Sequence, residues 1–361
     1  MKLRGLELLR GLAALSVAIA HSDSSIGNNP ALHFGRWHPY EMPGTPGVEF
    51  FFVLSGFVMA LMHAGEIGRG ARVGRFLWRR VCRIYPLYWI MLALMVRQFW
   101  GAPAVNAGSL LGWASLLPIR TDNLIVVAWT LRQEVTYYLL FALCLLPVVG
   151  WAVLATWVVG LLLWLFAGWA VFVPGVTGIV VSHVMSPFNV EFLAGLSAGA
   201  LFRRIPGQRG PAACILAAGL IIVAWRMSQD GWGAEYGPDS ARLVYGLGYG
   251  GVILGLAMLE RSGALPFRGR AGRIAAAAGV VSYPLYLSHL LTIDWMAKHL
   301  AAAGLAGRLG ADACFALFLI ASVLVGAALA YGLDRPIQAG LRQLGMRFSA
   351  DSRPAPAAEA S

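Results

Sequence analysis

Residues 151–171 read WAVLATWVVGLLLWLFAGWAV, a stretch with no charged side chain anywhere along it. About 20 mostly apolar residues cross the hydrocarbon core of a bilayer. Backbone polar groups must pair within the segment there, so such a run forms a helix. Working outward, runs of the same kind recur along the chain. The expected spans are 6–22, 46–63, 84–100, 128–148, 151–171, 190–204, 211–228, 243–260, 278–298 and 310–333. The run from Leu110 to Leu117 is too short to cross and reads as re-entrant or interfacial.

Composition supports lipid as the solvent. Charged residues make up 12% of the 361-residue chain and hydrophobic ones 58%. Soluble domains carry about 25% charged residues. The expected fold is an all-α integral membrane bundle of about ten helices, with both termini cytoplasmic. The orientation follows from the positive-inside rule. Basic residues collect on one side, most densely at Arg69, Arg72, Arg75, Arg79, Arg80 and Arg83, and again at Arg268, Arg270 and Arg273. The other side keeps only Arg36, Arg120, Arg242, Lys298 and Arg308.

A net charge of +11 raises the question of nucleic acid, since basic proteins neutralise phosphates. The charges sit in short clusters between apolar runs and form no basic domain, which argues against that partner. Cys82, Cys144, Cys214 and Cys314 have neither CxxC nor zinc spacing, so neither a disulfide framework nor a metal is implied. Ala18-Ile19-Ala20 resembles a signal-cleavage site, but Arg10 interrupts the hydrophobic region before it, so cleavage is not expected. Residues 1–337 are expected to form one transmembrane domain. The remaining 338–361 should be a cytoplasmic, largely disordered tail, rich in Ala, Pro and Ser from Ser349 onward.

Ionisable groups inside a bilayer are costly and mark function by default. Arg10 and His21 share the first span. Eleven residues make about three turns, so both side chains leave nearly one face, roughly 16 Å apart. Equally, Arg10 could snorkel to the interface and His21 could simply end the helix. Arg80 and Arg83 lie three apart and form one guanidinium patch at the entrance to span 3. Guanidinium forks suit phosphates and carboxylates, although arginines at this place also anchor topology.

Glu134, in Trp129-Thr130-Leu131-Arg132-Gln133-Glu134, is suited to orienting an imidazole or accepting a hydrogen bond from a hydroxyl. Pairing with Arg132 or Arg10 would serve as well. Glu191 has the same ambiguity. His289 reads foremost as a buried histidine bonded to a neighbouring helix, and Asp23 and Glu49 as solvated residues flanking the first outer loop. Ser55 and Gly56 read as small residues that let helices approach.

Taken together and in order, these pieces resemble the integral-membrane acyltransferase 3 family, whose members O-acylate bacterial polysaccharides and related glycans. The resemblance covers roughly residues 3–337. It rests on Leu9-Arg10-Gly11 followed by His21, an R-x10-H signature, and on Gly47-Val48-Glu49-Phe50-Phe51 with Ser55-Gly56-Phe57. Three further matches are Arg80-x-x-Arg83-Ile84-Tyr85-Pro86, Trp129-Thr130-Leu131 with Glu134 and Tyr138, and Ser282-Tyr283-Pro284-Leu285-Tyr286-Leu287 with His289. Asp334-Arg335-Pro336 stands where the family tends to have Glu-Lys/Arg-Pro. The chain departs from the family pattern at Glu7, Arg132 and Ser288.

The resemblance implies an acyl-CoA-dependent O-acyltransferase in the inner membrane of a bacterium. It would move an acyl group, acetyl by expectation, from cytoplasmic acyl-CoA to a saccharide hydroxyl. The implied catalytic residues are His21, Arg10 and Glu134, and the donor's phosphates fall to Arg80 and Arg83. Tyr283 and His289 are further candidates. No metal is implied, and the partners are the bilayer, acyl-CoA and a saccharide acceptor. His33, Trp37, His38 and Tyr40 of the first outer loop are candidates for sugar contact. The competing class is a transporter or flippase, which also uses intramembrane Arg and His. Matched broken helices in two halves mark many transporters, and the sequence has none. A non-catalytic sensor or assembly partner is the third class.

Overall fold

The computed structural model describes residues 3–29, 32, 34, 46–69, 73–167, 174–230 and 241–351. Among these the regular structure is helical throughout, with no strand. His33, Trp37, His38 and Tyr40 lie outside the described residues. In chain order the helices are α1 (Arg4–Asn28), α2 (Pro46–His63), α3 (Val73–Gln98), α4 (Ala107–Ser115) and α5 (Ala128–Cys144). Then come α6 (Gly150–Ala167), α7 (Gly175–Val184), α8 (Phe188–Arg204), α9 (Arg209–Asp230) and α10 (Ala241–Arg261). The series closes with α11 (Gly269–Ala302), α12 (Ala306–Leu309), α13 (Ala311–Leu329) and α14 (Arg335–Asp351), a π-helical turn at Ala330–Asp334 joining the last two.

Among the described residues, five segments are long and apolar enough to cross a membrane: Gly175–Arg204, Arg209–Gln229, Ala241–Arg261, Gly269–Ala302 and Ala311–Leu344. Gly47–His63 and Gly150–Leu165 are apolar but shorter. α1, α3 and α5 are not in that set, α5 because it has only 17 residues and all three because charged side chains lower their apolar character. α1 carries Arg4, Glu7, Arg10 and Asp23, α3 a run of arginines, and α5 Arg132 and Glu134. These three helices carry the charged candidates Arg10, Arg80, Arg83 and Glu134.

Close packing fixes the bundle. A Cβ added at Gly56 of α2 would lie 2.0 Å from the Phe192 carbonyl oxygen, and one at Gly195 of α8 would lie 1.9 Å from that of Val53. Small residues permit such backbone contact between membrane helices. Gly11 of α1 meets Ala278 of α11 in the same way, with 2.6 Å to its Cβ. The N-terminus of α1 is held by Glu260, whose carboxylate accepts from the backbone N–H of Arg4 (2.7 Å) and Gly5 (2.9 Å). An anion there offsets the unpaired amides and the helix dipole.

Two differences from the sequence reading matter. α3 begins at Val73, not near 84, so Arg79, Arg80 and Arg83 are helical residues. The stripe Phe76, Ile84, Leu87, Tyr88, Met91 and Leu92 is buried at helical spacing and carries the helix through the basic stretch. Residues 338–351 continue α14, so the expected domain boundary at 337 falls inside that helix. Ile337, Leu341 and Leu344 recur at four- and three-residue intervals, an amphipathic pattern that outweighs the tail's polar composition. Residues 352–361 lie outside the described residues.

The short run at 110–117 forms α4, a nine-residue helix with Asn106 as its N-cap. Its terminal carbonyls at Trp113, Ala114 and Ser115 accept from Tyr88 Oη (2.8 Å), Trp89 Nε1 (2.9 Å) and Tyr85 Oη (2.5 Å) of α3. The orphan groups of a helix end are thereby satisfied within the bundle.

Candidate active site

The largest packed core joins α2, α3, α5 and α11, and a cavity of about 230 Å³ opens within it. Its apolar wall includes Val48, Phe51, Phe52, Leu54 and Val58 of α2, with Ile84, Leu131, Tyr283 and Tyr286. Its polar groups are Arg10, Arg80, Arg83, Glu134, Ser55, Thr130, Tyr138 and Ser282. Three helices distant in sequence, α1, α3 and α5, thus deliver three guanidinium groups and one carboxylate to a single apolar-walled space. Cations outnumber the anion, so the cavity suits an anionic ligand.

Each charged group is held in a definable way. Arg80 lies over the Tyr138 ring (4.9 Å to the centroid) and near that of Phe76 (5.6 Å), and its Nη2 contacts Met59 Sδ at 3.2 Å. The spacing of Arg80 and Arg83 on α3 puts both in the cavity wall. Arg10 has Arg83 and Glu134 as charged neighbours. Glu134 Oε1 accepts from Ser55 Oγ (3.0 Å) and from Tyr138 Oη.

Glu134 does not pair with Arg132. That side chain turns away and donates to the carbonyls of Arg120 (2.8 Å) and Asp122 (3.0 Å), pinning the loop before α5. In this loop Arg120 binds Asp122 through both Nε and Nη2. The Arg120 hydrogen bonds hold the Asp122 carboxyl below the usual carboxylate range.

His21 and His289 form a second group. His21 Nδ1 lies 2.9 Å from His289 Nε2, and the two rings stack with centroids 5.0 Å apart. His289 is fully buried, and its Nδ1 lies 3.2 Å from the Leu285 carbonyl oxygen. A carbonyl only accepts, so His289 Nδ1 is the donor. In a neutral imidazole Nε2 is then the acceptor. His21 Nδ1 therefore donates, which leaves the lone pair of His21 on Nε2. His289 thus fixes the His21 ring through this bond.

Neither histidine lines the cavity. Tyr286 connects the two groups: it lines the cavity, its hydroxyl lies 2.8 Å from Thr130 Oγ1, and its ring centroid is 5.9 Å from that of His289. Of the predicted site residues, the cavity gathers Arg10, Arg80, Arg83, Glu134 and Tyr283. His21 and His289 stand together behind Tyr286.

Several polar residues occupy places the sequence reading did not give them. Glu49 is fully buried in an ion pair with Arg242, and Glu191 lies 3.9 Å from the same guanidinium, which rests on the Phe188 ring at 4.4 Å. Glu49 is therefore not solvated, and Arg242 is not an exposed topology marker. Asp23 is also buried. The four residues sit near helix ends, where exposure is the default expectation, and only tertiary packing encloses them. Ser55 is more than a packing residue. Its bond to Glu134 spans 79 positions and has no local signal.

A helical bundle with apolar segments long enough for a bilayer, enclosing a polar cavity between its helices, defines an integral membrane protein. The comparison with known proteins narrows that class. The family model described as an acyltransferase domain matches residues 3–332, and the chain belongs to this family. It is 29% identical over 314 residues to the exopolysaccharide production protein ExoZ of Rhizobium meliloti (strain 1021), covering 81% of this chain and 89% of that protein. It is also 36% identical over 95 residues to protein 2 in the picA locus of Rhizobium radiobacter, covering 26% of this chain and 44% of that protein. No solved structure matches the chain.

Proposed function

We propose that this acyltransferase moves an acyl group, acetyl by expectation, from cytoplasmic acyl-CoA to a hydroxyl of a saccharide on the far side of the bacterial inner membrane. The observation that carries the reading is the convergence of Arg10, Arg80, Arg83 and Glu134 on one apolar-walled cavity in a member of an acyltransferase family. The printed name of the relative ExoZ, an exopolysaccharide production protein, supports a saccharide acceptor. The bundle is read with about ten spans and both termini cytoplasmic. Arg80 and Arg83 then lie near the cytoplasmic face, where the donor arrives.

In this reading Arg80 and Arg83 take the donor's phosphates, and the apolar wall takes the pantetheine and acyl end. Glu134, fixed by Ser55 and Tyr138, balances part of the arginine charge and keeps Arg10 in place near the thioester. His21 Nε2, with its lone pair set by His289, accepts the proton of the acceptor hydroxyl. The hydroxyl oxygen bonds to the thioester carbonyl carbon, the C–S bond breaks, and the imidazolium returns the proton to the thiolate of CoA. Histidine suits the role because its charge changes near neutral pH, and such proton transfer contributes about 10²–10⁴-fold in rate. Tyr286 stands between the two halves and must shift or turn for them to meet.

The test compares surface glycans purified from cells with and without the gene. The reading predicts a mass difference of one acyl group per modified unit. Identical glycans by mass spectrometry and NMR would overturn it.

A further inference from the structure

We propose that Gln338 is a positioning residue for the arginine pair of the cavity, acting through the backbone of α3. The inference rests on the reading that Arg80 and Arg83 hold the donor. Pro86 lies inside α3 and has no N–H, so the carbonyl four residues earlier, that of Cys82, loses its helical partner. Gln338 Nε2 of α14 supplies the missing donor, 2.7 Å from the Cys82 oxygen. The Arg83 carbonyl and Asp334 Oδ1 lie at 3.4 Å from the same nitrogen. All three neighbours are acceptors, which assigns the amide nitrogen, and not its oxygen, to this place.

Two residues further along, Tyr283 Oη of α11 donates to the Ile84 carbonyl at 2.7 Å. The turn of α3 before Pro86 is thus tied on both sides of Arg83. Without the Gln338 bond the Cys82 carbonyl would be left open in a half-buried place, and the turn that aims Arg80 and Arg83 would be free to unwind. Gln338 lies beyond the family match, which ends at 332, so the segment outside that match contributes to the site.

The test uses the purified full-length chain with acetyl-CoA as donor and three variants. Gln338→Met keeps the length and loses the donor, Gln338→Lys restores a donor, and Arg80→Ala marks loss of the patch. Two readouts are taken: the KM-against-kcat split for acetyl-CoA, and the alkylation rate of Cys82 by a maleimide, resolved by peptide mass spectrometry with buried Cys314 as the internal standard.

Gln338→Met is expected to raise the acetyl-CoA KM by about three- to ten-fold, the effect of one lost hydrogen bond. The saturating rate should stay near wild type, and Cys82 alkylation should quicken while Cys314 is unchanged. Gln338→Lys should restore both readouts. Wild-type KM and wild-type Cys82 reactivity in Gln338→Met, or failure of Gln338→Lys to differ from Gln338→Met, would overturn the inference. If wild-type protein bound no acetyl-CoA, the donor reading would fall and the role of Gln338 in it likewise. Cys82 reactivity would still decide whether Gln338 fixes the turn.

Discussion

His21 Nδ1 lies 2.9 Å from His289 Nε2, joining the first helix to a helix 268 residues later. One histidine sets the protonation pattern of the other. Removing His21 takes away the proposed base, whereas removing His289 takes away only its orientation. His21→Ala should lower the transfer rate by about 10²–10⁴-fold. His289→Phe should lower it less, by about ten-fold or more, and acetyl-CoA affinity should be unchanged in both. Initial rates alongside calorimetric donor titration decide this. A His289→Phe enzyme with full activity would return that residue to a packing role.

Ser55 and Tyr138 both donate to Glu134 Oε1. Hydrogen bonds to a charged group contribute about 1.5–3 kcal/mol. Ser55→Ala should therefore reduce turnover by about ten-fold or more while the protein remains inserted, and Glu134→Gln should reduce it at least as far. Activity assays on matched amounts of membrane-inserted protein supply the measurement. Wild-type turnover in Ser55→Ala would show that Glu134 needs no such fixing.

Arg80 lies over Tyr138 through its planar guanidinium. Lysine is not equivalent at a stacked site. Arg80→Lys, although it keeps the charge, should weaken acetyl-CoA binding measurably, and Arg80→Ala and Arg83→Ala should weaken it more. Calorimetric titration gives the order. Equal affinity in all three variants would leave these arginines as topology anchors only.

The Glu49–Arg242 pair is buried, with Glu191 beside it. Removing one partner of a buried ion pair costs about 3–5 kcal/mol, because the other charge is left uncompensated. Arg242→Met should lower the thermal unfolding temperature in detergent well below wild type. The double variant Glu49→Gln/Arg242→Met should recover part of the loss. Recovery in the double variant separates pairing from simple packing, and a single variant as stable as wild type would contradict the account.

Much of the fold was legible because lipid imposes long apolar runs, and the run predicted at 46–63 matches α2, Pro46–His63. The start of α3 was not legible, since Arg79, Arg80 and Arg83 look like loop charges until the buried stripe from Phe76 to Leu92 is taken as one helical face. Arg10, Arg80, Arg83 and Glu134 stood out as charges in apolar surroundings, and the cavity gathers them. Ser55 and Gln338 did not stand out. Their meaning lies in partners 79 and 256 positions away. The burial of Glu49 and Arg242 was likewise hidden, because a carboxylate near a helix end is solvated unless another helix covers it.

The most direct measurement supplies labelled acetyl-CoA to the cytoplasmic face of sealed inside-out membrane vesicles and follows label into lumenal saccharide. The expected result is transfer by the wild-type chain, a fall of about 10²–10⁴-fold in His21→Ala, and a rise in the donor concentration needed when Arg80 or Arg83 is alanine. Undiminished transfer by His21→Ala, or label delivered equally well from the lumenal side, would contradict it.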